Sequence, residues 1–109
     1  MRRSRIPGFY KLTLDERRRV AAAALGLEDA AIERALADGG LDRQTADKTI
    51  ENVIGTYALP FALCLNVRMN GRDHLLPMVV EEPSVVAAAS NAARLVREGG
   101  GFVAEADAP

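Results

Sequence analysis

The period of polar and apolar positions changes partway along the chain, and each period predicts its own element. In TLDERRRVAAAALG, residues 13–26, a polar opening leads into an alanine-rich run, which predicts a helix. Thr13 suits the N-cap, and Glu16 stands three residues on, as a capping box requires. Asp15 and Glu16 also suit the positive end of the helix dipole. Gly26 is expected to end this helix. A second helix is predicted over EDAAIERALAD, residues 28–38, closed by Gly39 and Gly40. A third is expected to start at Asp42, which can cap it. It then runs through RQTADKTIENVI to Gly55, with Ile50, Val53 and Ile54 on its apolar stripe. The first thirteen residues, punctuated by Pro7 and Gly8, read as irregular.

After Pro60 the period drops to two. Phe61, Leu63, Leu65, Val67 and Met69 alternate with smaller or polar residues, which predicts a strand with one buried face. Asn70-Gly71 is a strong two-residue hairpin turn, and RDHLLPMVV is the expected return strand. Pro77 inside it points to an edge position, a bulge or an early end. Pro83 sits where a first helical turn tolerates it, and SVVAAASNAARLVRE, residues 84–98, continues as a helix until Gly99. Val85, Ala89, Ala92 and Val96 form its stripe, with Val86 and Ala93 beside them. Its other faces are also small, so it reads as a central, buried helix. The expected class is α+β: N-terminal helices, a β-hairpin and a central helix rich in small residues.

Composition narrows the function. With 109 residues the chain has the size of one small domain, and 49% hydrophobic residues suffice for a core. Aromatics are scarce, so packing is expected to rely on close backbone approach at alanines. A net charge of −1 argues against a general nucleic-acid or membrane-surface role. The single cysteine, Cys64, excludes an internal disulfide and suits a reducing, cytoplasmic compartment. No apolar run is long enough for a bilayer, and the basic start MRRSRIPGFY lacks a signal-peptide core.

One stretch asks for chemistry. PMVVEEPSVVAAAS, residues 77–90, places Glu81 and Glu82 between an apolar strand and an alanine-rich helix. Capping the helix dipole is the plain account of an acidic residue there. One carboxylate suffices for that; an apolar setting with a like charge alongside would raise one pKa toward that of a general acid, and the helix end would push it the other way. In ENVIGTYALP, residues 51–60, a helix end and a proline-stopped loop explain Gly55 and Pro60 but explain Glu51-Asn52 poorly. His74, near the hairpin turn, reads as solvated rather than catalytic. Cys64 lies out of phase with the large apolar face, and no metal-ligand spacing is present. Arg2, Arg3 and Arg5 could touch a phosphate but read first as a disordered basic tail, and Arg17, Arg18 and Arg19 read as mostly a solvated helix face. EGGGF lacks the spacing of a dinucleotide-binding loop and does not follow a strand.

Taken together, SRIPGFYKL, ENVIGTYALP, NGRDHLLPMVVEEPSVVAAAS and GGGFVAEAD resemble the N-terminal part of the class II, bacterial and degradative-type, hydroxymethylglutaryl-coenzyme A reductases over nearly the whole chain. The resemblance implies interconversion of hydroxymethylglutaryl-CoA with mevalonate and CoA, using two molecules of NAD(H) or NADP(H) and no metal. It implies that Glu82 is the catalytic glutamate and that Ser84 binds the hydroxymethylglutaryl group. ENVIG is associated with a dimer contact and the active-site wall, making Glu51 and Asn52 further substrate-site candidates. Some relatives place a CoA-reaching arginine in the PGFYKL segment, where this chain has Tyr10 with Lys11 beside it.

The resemblance also implies that residues 1–42 form an N-terminal helical segment and residues 43–109 the start of the substrate-binding large domain. The nicotinamide-binding domain and the family's catalytic lysine, aspartate and histidine would lie beyond Pro109, so these residues alone are expected to be inactive. FVAEA reads as the start of a strand without a partner. Two other readings stand beside this one. One is a non-catalytic helical module that dimerises through small-residue faces; the other is a nucleic-acid-associated protein using the N-terminal arginines.

Overall fold

Thr13 opens the first helix, α1 (Leu14–Leu25), with the expected reciprocal pair of bonds. In the computed structural model, which describes residues 3–109, Thr13 Oγ1 accepts from the Glu16 N–H at 3.2 Å and the Thr13 N–H donates to Glu16 Oε2 at 2.8 Å. Gly26, left-handed at φ 69°, caps the far end. Helix α2 (Asp29–Leu36) packs on α1, with alanines Ala21 and Ala22 buried on α1. A 3₁₀ turn at Ala37–Gly40 ends this pair, with Asp38 and Gly39 both left-handed.

Helix α3 (Arg43–Thr49) starts at Asp42, whose Oδ1 accepts from the Thr45 N–H at 2.8 Å. It does not reach Gly55. Ile50 is extended (φ −140°, ψ 165°), and Asn52 is left-handed at φ 59°. Thr49 Oγ1 donates back to the Thr45 carbonyl at 2.7 Å, a local bond that competes with the helical ladder, and the β-branched pair Thr49-Ile50 disfavours another turn. The expected apolar stripe is therefore lost: Ile50 and Ile54 are exposed, and Val53 is only half-covered.

Strands β1 (Phe61–Met69) and β2 (Arg72–Val79) form the antiparallel hairpin, turned by Asn70 and Gly71 at φ 50° and 75°. Two positive φ values match the twist that strands need across a two-residue turn. Pairing runs from Phe61↔Val79 to Cys64↔Leu76 and resumes at Val67↔His74, so β1 carries one residue more than β2 across that step. Asn66 takes φ 67° at this bulge. The bulge breaks the expected alternation. Cys64, read as out of phase, shares the buried side with Val67, and both pack on Ala93 with Met78 and Ala89 against them. Pro77 stands opposite Leu63; in a two-stranded sheet each strand is an edge, where a missing N–H is tolerated.

Helix α4 (Val85–Glu98) lies on β1. Its buried residue is Ala93 rather than Ala92, a rotation away from the expected stripe. The bulge explains it: the Leu65 N–H donates to Ser90 Oγ at 3.0 Å and Asn66 Nδ2 donates to the Ser90 carbonyl at 3.0 Å. These bonds aim Ser90 at β1. The helix is not enclosed by the described residues. Ala87, Ala88, Ala92 and Leu95 are exposed, because a hairpin offers it only one face.

Both flanking segments are pinned to the hairpin. Ser4 is fully buried: its Oγ donates to the Val67 carbonyl at 2.8 Å, and its carbonyl accepts from the Asn66 N–H at 2.9 Å. The reading of a disordered tail fails from that point on; Arg2 lies outside the described residues. FVAEA does find a partner. Phe102 bridges to Met69, its N–H donating to the Arg68 carbonyl at 2.7 Å and its carbonyl accepting from the Asn70 N–H at 2.9 Å.

Candidate active-site junction

The chain leaves β2 at Val79 and enters α4 at Val85 through Glu81, Glu82, Pro83 and Ser84, all four exposed. Ser84 is the N-cap residue, yet it is left-handed (φ 75°, ψ −21°) and its side chain makes no capping bond. A non-glycine residue in that region costs about 1–3 kcal/mol, and such strain concentrates at binding and catalytic sites. The Ser84 carbonyl still accepts from the Ala88 N–H at 2.8 Å, so the helix is anchored by backbone alone and the Ser84 hydroxyl is left available. Neither glutamate caps the helix, and α4 has no acidic residue in its first turn. The capping account of Glu81-Glu82 is not realised. The apolar wall expected around Glu82 is not formed by the described residues either: the carboxylate stands in solvent at a fixed junction.

Beside this junction runs a groove of about 520 Å³. One wall is the Ile6–Tyr10 segment; the other is the first half of α4, through Val86, Ala87, Ser90 and Asn91. Tyr10 lines it while remaining 79% exposed, and Lys11 Nζ lies 5.7 Å from the centre of the Tyr10 ring. The structure therefore brings Tyr10 to the groove on the α4 side, with the Lys11 ammonium over its ring. It does not bring Glu51 and Asn52 there. Both are exposed in the turn after α3, and their neighbours Ile50, Val53 and Gly55 line a separate groove of about 310 Å³ with Leu41 and Ala46.

One polar cluster was not visible in the sequence. Arg97 Nη1 donates to Asp73 Oδ1 at 2.9 Å and to Ser4 Oγ at 3.3 Å, and the Ser4 N–H donates to Asp73 Oδ2 at 3.0 Å. The Arg97 bond, supported by Ser4, holds the Asp73 carboxyl below its ordinary pKa against the opposing effect of burial. The three residues are 93, 69 and 24 positions apart, so no local pattern announces them. Asp73 and Arg97 also line an arginine-rich cleft of about 800 Å³ with Arg3, Arg5, Arg68 and Arg72. His74 lines the same cleft, away from the glutamate junction.

A nicotinamide dinucleotide does not fit the described residues. The one sheet among them is an antiparallel hairpin, and the triple glycine follows a helix, with Gly101 pressed against the Arg68 backbone. Among the described residues no group of His, Cys, Asp and Glu is placed to hold a metal ion.

The sequence profile of hydroxymethylglutaryl-coenzyme A reductase matches residues 13–108. The chain is 53% identical over 102 residues to the 3-hydroxy-3-methylglutaryl-coenzyme A reductase of Archaeoglobus fulgidus, covering 94% of this chain and 23% of that protein. Its structure is similar to the class II 3-hydroxy-3-methylglutaryl-CoA reductase of Streptococcus pneumoniae bound to NADPH in open conformations, with a TM-score of 0.79 and 39% identity. That match covers 91% of this chain and 27% of the pneumococcal one. A second structure of the pneumococcal reductase matches with a TM-score of 0.78. The chain thus spans about a quarter of the length of the relatives it matches. The profile and the archaeal relative each match most of the chain, and the chain belongs to the hydroxymethylglutaryl-coenzyme A reductase family.

Proposed function

We propose that this chain supplies the catalytic carboxylate and part of the acyl-CoA groove of a hydroxymethylglutaryl-CoA reductase, the enzyme that interconverts hydroxymethylglutaryl-CoA with mevalonate and CoA. The observation that carries the reading is the junction itself. A carboxylate with no structural task, Glu82, lies two residues before a strained serine whose hydroxyl is free, and the helix that follows lines a groove from Val86 on. Reducing a thioester and then an aldehyde puts negative charge on the carbonyl oxygen, which must be protonated or stabilised. In this reading Glu82 holds and delivers that proton. Ser84 hydrogen-bonds the hydroxymethylglutaryl carboxylate or hydroxyl, and Glu81 modulates the charge beside it. Tyr10 and Lys11 flank the CoA portion. Glu51 and Asn52 would join the site across a subunit contact rather than within one chain.

The coenzyme, NAD(H) or NADP(H), supplies hydride when bound. The described residues do not fit it, so it is assigned to other residues of the complete enzyme, and the 109-residue chain is inactive by itself. We assign the complete enzyme to the cytoplasm, which suits the reduced, buried Cys64; no helix of the described residues is long and apolar enough to cross a membrane. The dimer contact is placed on residues 50–59, where Ile54 and Tyr57 are almost wholly exposed on a stretch without secondary structure. In the complete enzyme, Glu82→Gln is expected to abolish turnover while leaving hydroxymethylglutaryl-CoA affinity and melting temperature unchanged. Retained turnover overturns the role given to Glu82.

A further inference from the structure

At the turn end of the hairpin, five arginines share one cleft with a single carboxylate. Arg3 and Arg5 come from the N-terminal segment, Arg68 and Arg72 from the two strands and Arg97 from the last turn of α4; with Asp73 they line a space of about 800 Å³. The whole chain has a net charge of −1, so this excess of positive charge is local. Asp73 does not neutralise it. That carboxylate is taken by Arg97 at 2.9 Å and by the Ser4 N–H at 3.0 Å, which leaves Arg68 at 3.7 Å, too far for a hydrogen bond. Among the described residues no carboxylate pairs with Arg3, Arg5 or Arg72.

Unpaired arginines are commonly just solvated surface. These differ in how their backbone is held. Ser4, between Arg3 and Arg5, is fully buried and bonded through its N–H, Oγ and carbonyl to Asp73, Val67 and Asn66. Arg68 lies opposite Asp73 in the hairpin register, and Arg72 is the first residue after the turn. Three separately anchored segments thus hold their cations around one hollow. Keeping like charges together opposes the fold, an anion in the hollow removes that cost, and a fixed set of forks loses little freedom on binding it. A guanidinium fork takes an oxyanion through two parallel bonds. Forks on three segments call for more oxygens than one phosphate presents, and two linked phosphates supply them. The volume lies in the range of small-molecule sites, about 300–1,000 Å³. A nucleic-acid strand suits it less, because the chain carries 15 acidic residues against 14 basic ones, and with the arginines gathered here the remaining surface is acidic.

We propose that this cleft binds the diphosphate group of a small molecule. Arg3, Arg68 and Arg72 hold the oxygens, and Arg97 stays on Asp73 and fixes the floor. The cleft lies at the opposite end of α4 from the glutamate junction, with Arg97 about 20 Å along the helix from Ser84. Arg5 also lines the groove beside the first half of α4, so it does not tell the two places apart. The proposal does not rest on the reading of the chain as part of a reductase.

The test is calorimetric titration of the complete enzyme with inorganic pyrophosphate, with coenzyme A and NADPH in excess so that the places those phosphates occupy are already filled. Pyrophosphate is expected to bind, and inorganic phosphate to bind on the order of tenfold more weakly. Arg72→Ala and Arg3→Ala are each expected to weaken pyrophosphate on the order of tenfold, and Arg72→Lys to recover part of the loss as a point charge without the fork. Arg34→Ala, at the exposed pair with Glu28 on α2, is expected to change nothing. Should Arg72→Ala fail to fold by circular dichroism, Arg3→Ala and Arg72→Lys decide. Pyrophosphate binding that falls with Arg72 and Arg3 and not with Arg34 supports the proposal. No binding, or binding indifferent to Arg72 and Arg3, overturns it and leaves the reductase reading standing. Phosphate as tight as pyrophosphate overturns the assignment to a diphosphate. A single-stranded oligonucleotide that displaces pyrophosphate and binds more tightly overturns the small-molecule assignment.

Discussion

Arg97 Nη1 donates to Asp73 Oδ1 at 2.9 Å, tying the last turn of α4 to the second strand beside its turn. The same carboxylate accepts from the Ser4 N–H, so one aspartate holds together a helix, a hairpin and the N-terminal segment. Removing one partner from this half-buried pair leaves the other charge without its main partner.

Asp73→Asn is therefore expected to destabilise the chain by about 1–2 kcal/mol, read as a lowered urea midpoint. The pH dependence has a definite sign. Because the folded-state pKa of Asp73 lies below its unfolded value, its contribution is complete above about pH 4. It is lost as pH falls through the depressed folded pKa. Wild type should lose stability on acidification over that window, and Asp73→Asn should lose correspondingly less. Parallel acid curves for the two would show that the pair contributes nothing.

Gly101 takes φ 95°, and a Cβ built there would lie 2.7 Å from the Arg68 carbonyl oxygen. That oxygen belongs to rigid backbone and already accepts from the Phe102 N–H. Gly101→Ala is expected to cost about 1–3 kcal/mol and to break the Phe102–Met69 bridge, visible as faster amide exchange at Phe102. Gly71→Ala meets no atom within 4 Å but keeps the positive φ of 75°, so its cost is expected to be smaller.

Ser84 offers a test that separates stability from function. Glycine enters the left-handed region without strain, so Ser84→Gly is expected to raise stability by about 1 kcal/mol. In the complete enzyme the same change is expected to raise KM for hydroxymethylglutaryl-CoA, because the hydroxyl is gone. A variant that is both more stable and unaltered in KM would remove Ser84 from the site.

Ser90 fills the gap made by the bulge. Ser90→Ala leaves the Leu65 N–H without its acceptor at 3.0 Å and is expected to cost about 1–3 kcal/mol, measured by thermal unfolding. Ser90→Thr keeps the oxygen and is expected to retain more stability than Ala.

What the sequence revealed was local. The Thr13–Glu16 capping box, the Asp42 cap and the Asn70-Gly71 turn each carry their signal within four residues, and each forms as read. What it concealed depended on distant partners. The apolar pattern of Ile50, Val53 and Ile54 suits a helix, but Thr49 turns its hydroxyl back on the chain and the helix stops. The alternation in β1 gave no warning of a bulge, because Asn66 is stabilised there by Ser4 and Ser90, 62 and 24 residues away. The strand-to-helix junction holding Glu81 and Glu82 was legible because it is compact, but the apolar wall expected around it was not. The Ser4–Asp73–Arg97 cluster and the arginine-lined cleft around it became visible only once the chain had folded.

The extra residue in β1 has one more consequence. Before it, Phe61 and Leu63 turn toward α1 and α2, where they line an open groove with Leu75 and Pro77. Across it, Cys64 and Val67 both turn toward α4. One ribbon thereby serves two neighbours. The spacing between Cys64 and Val67 is thus more constrained than the identity of the residues that fill it. Conservative exchanges at 65 should be absorbed, whereas deletion of a single position there would rotate everything up to the turn by half a revolution and present Arg68 to α4 in place of Val67.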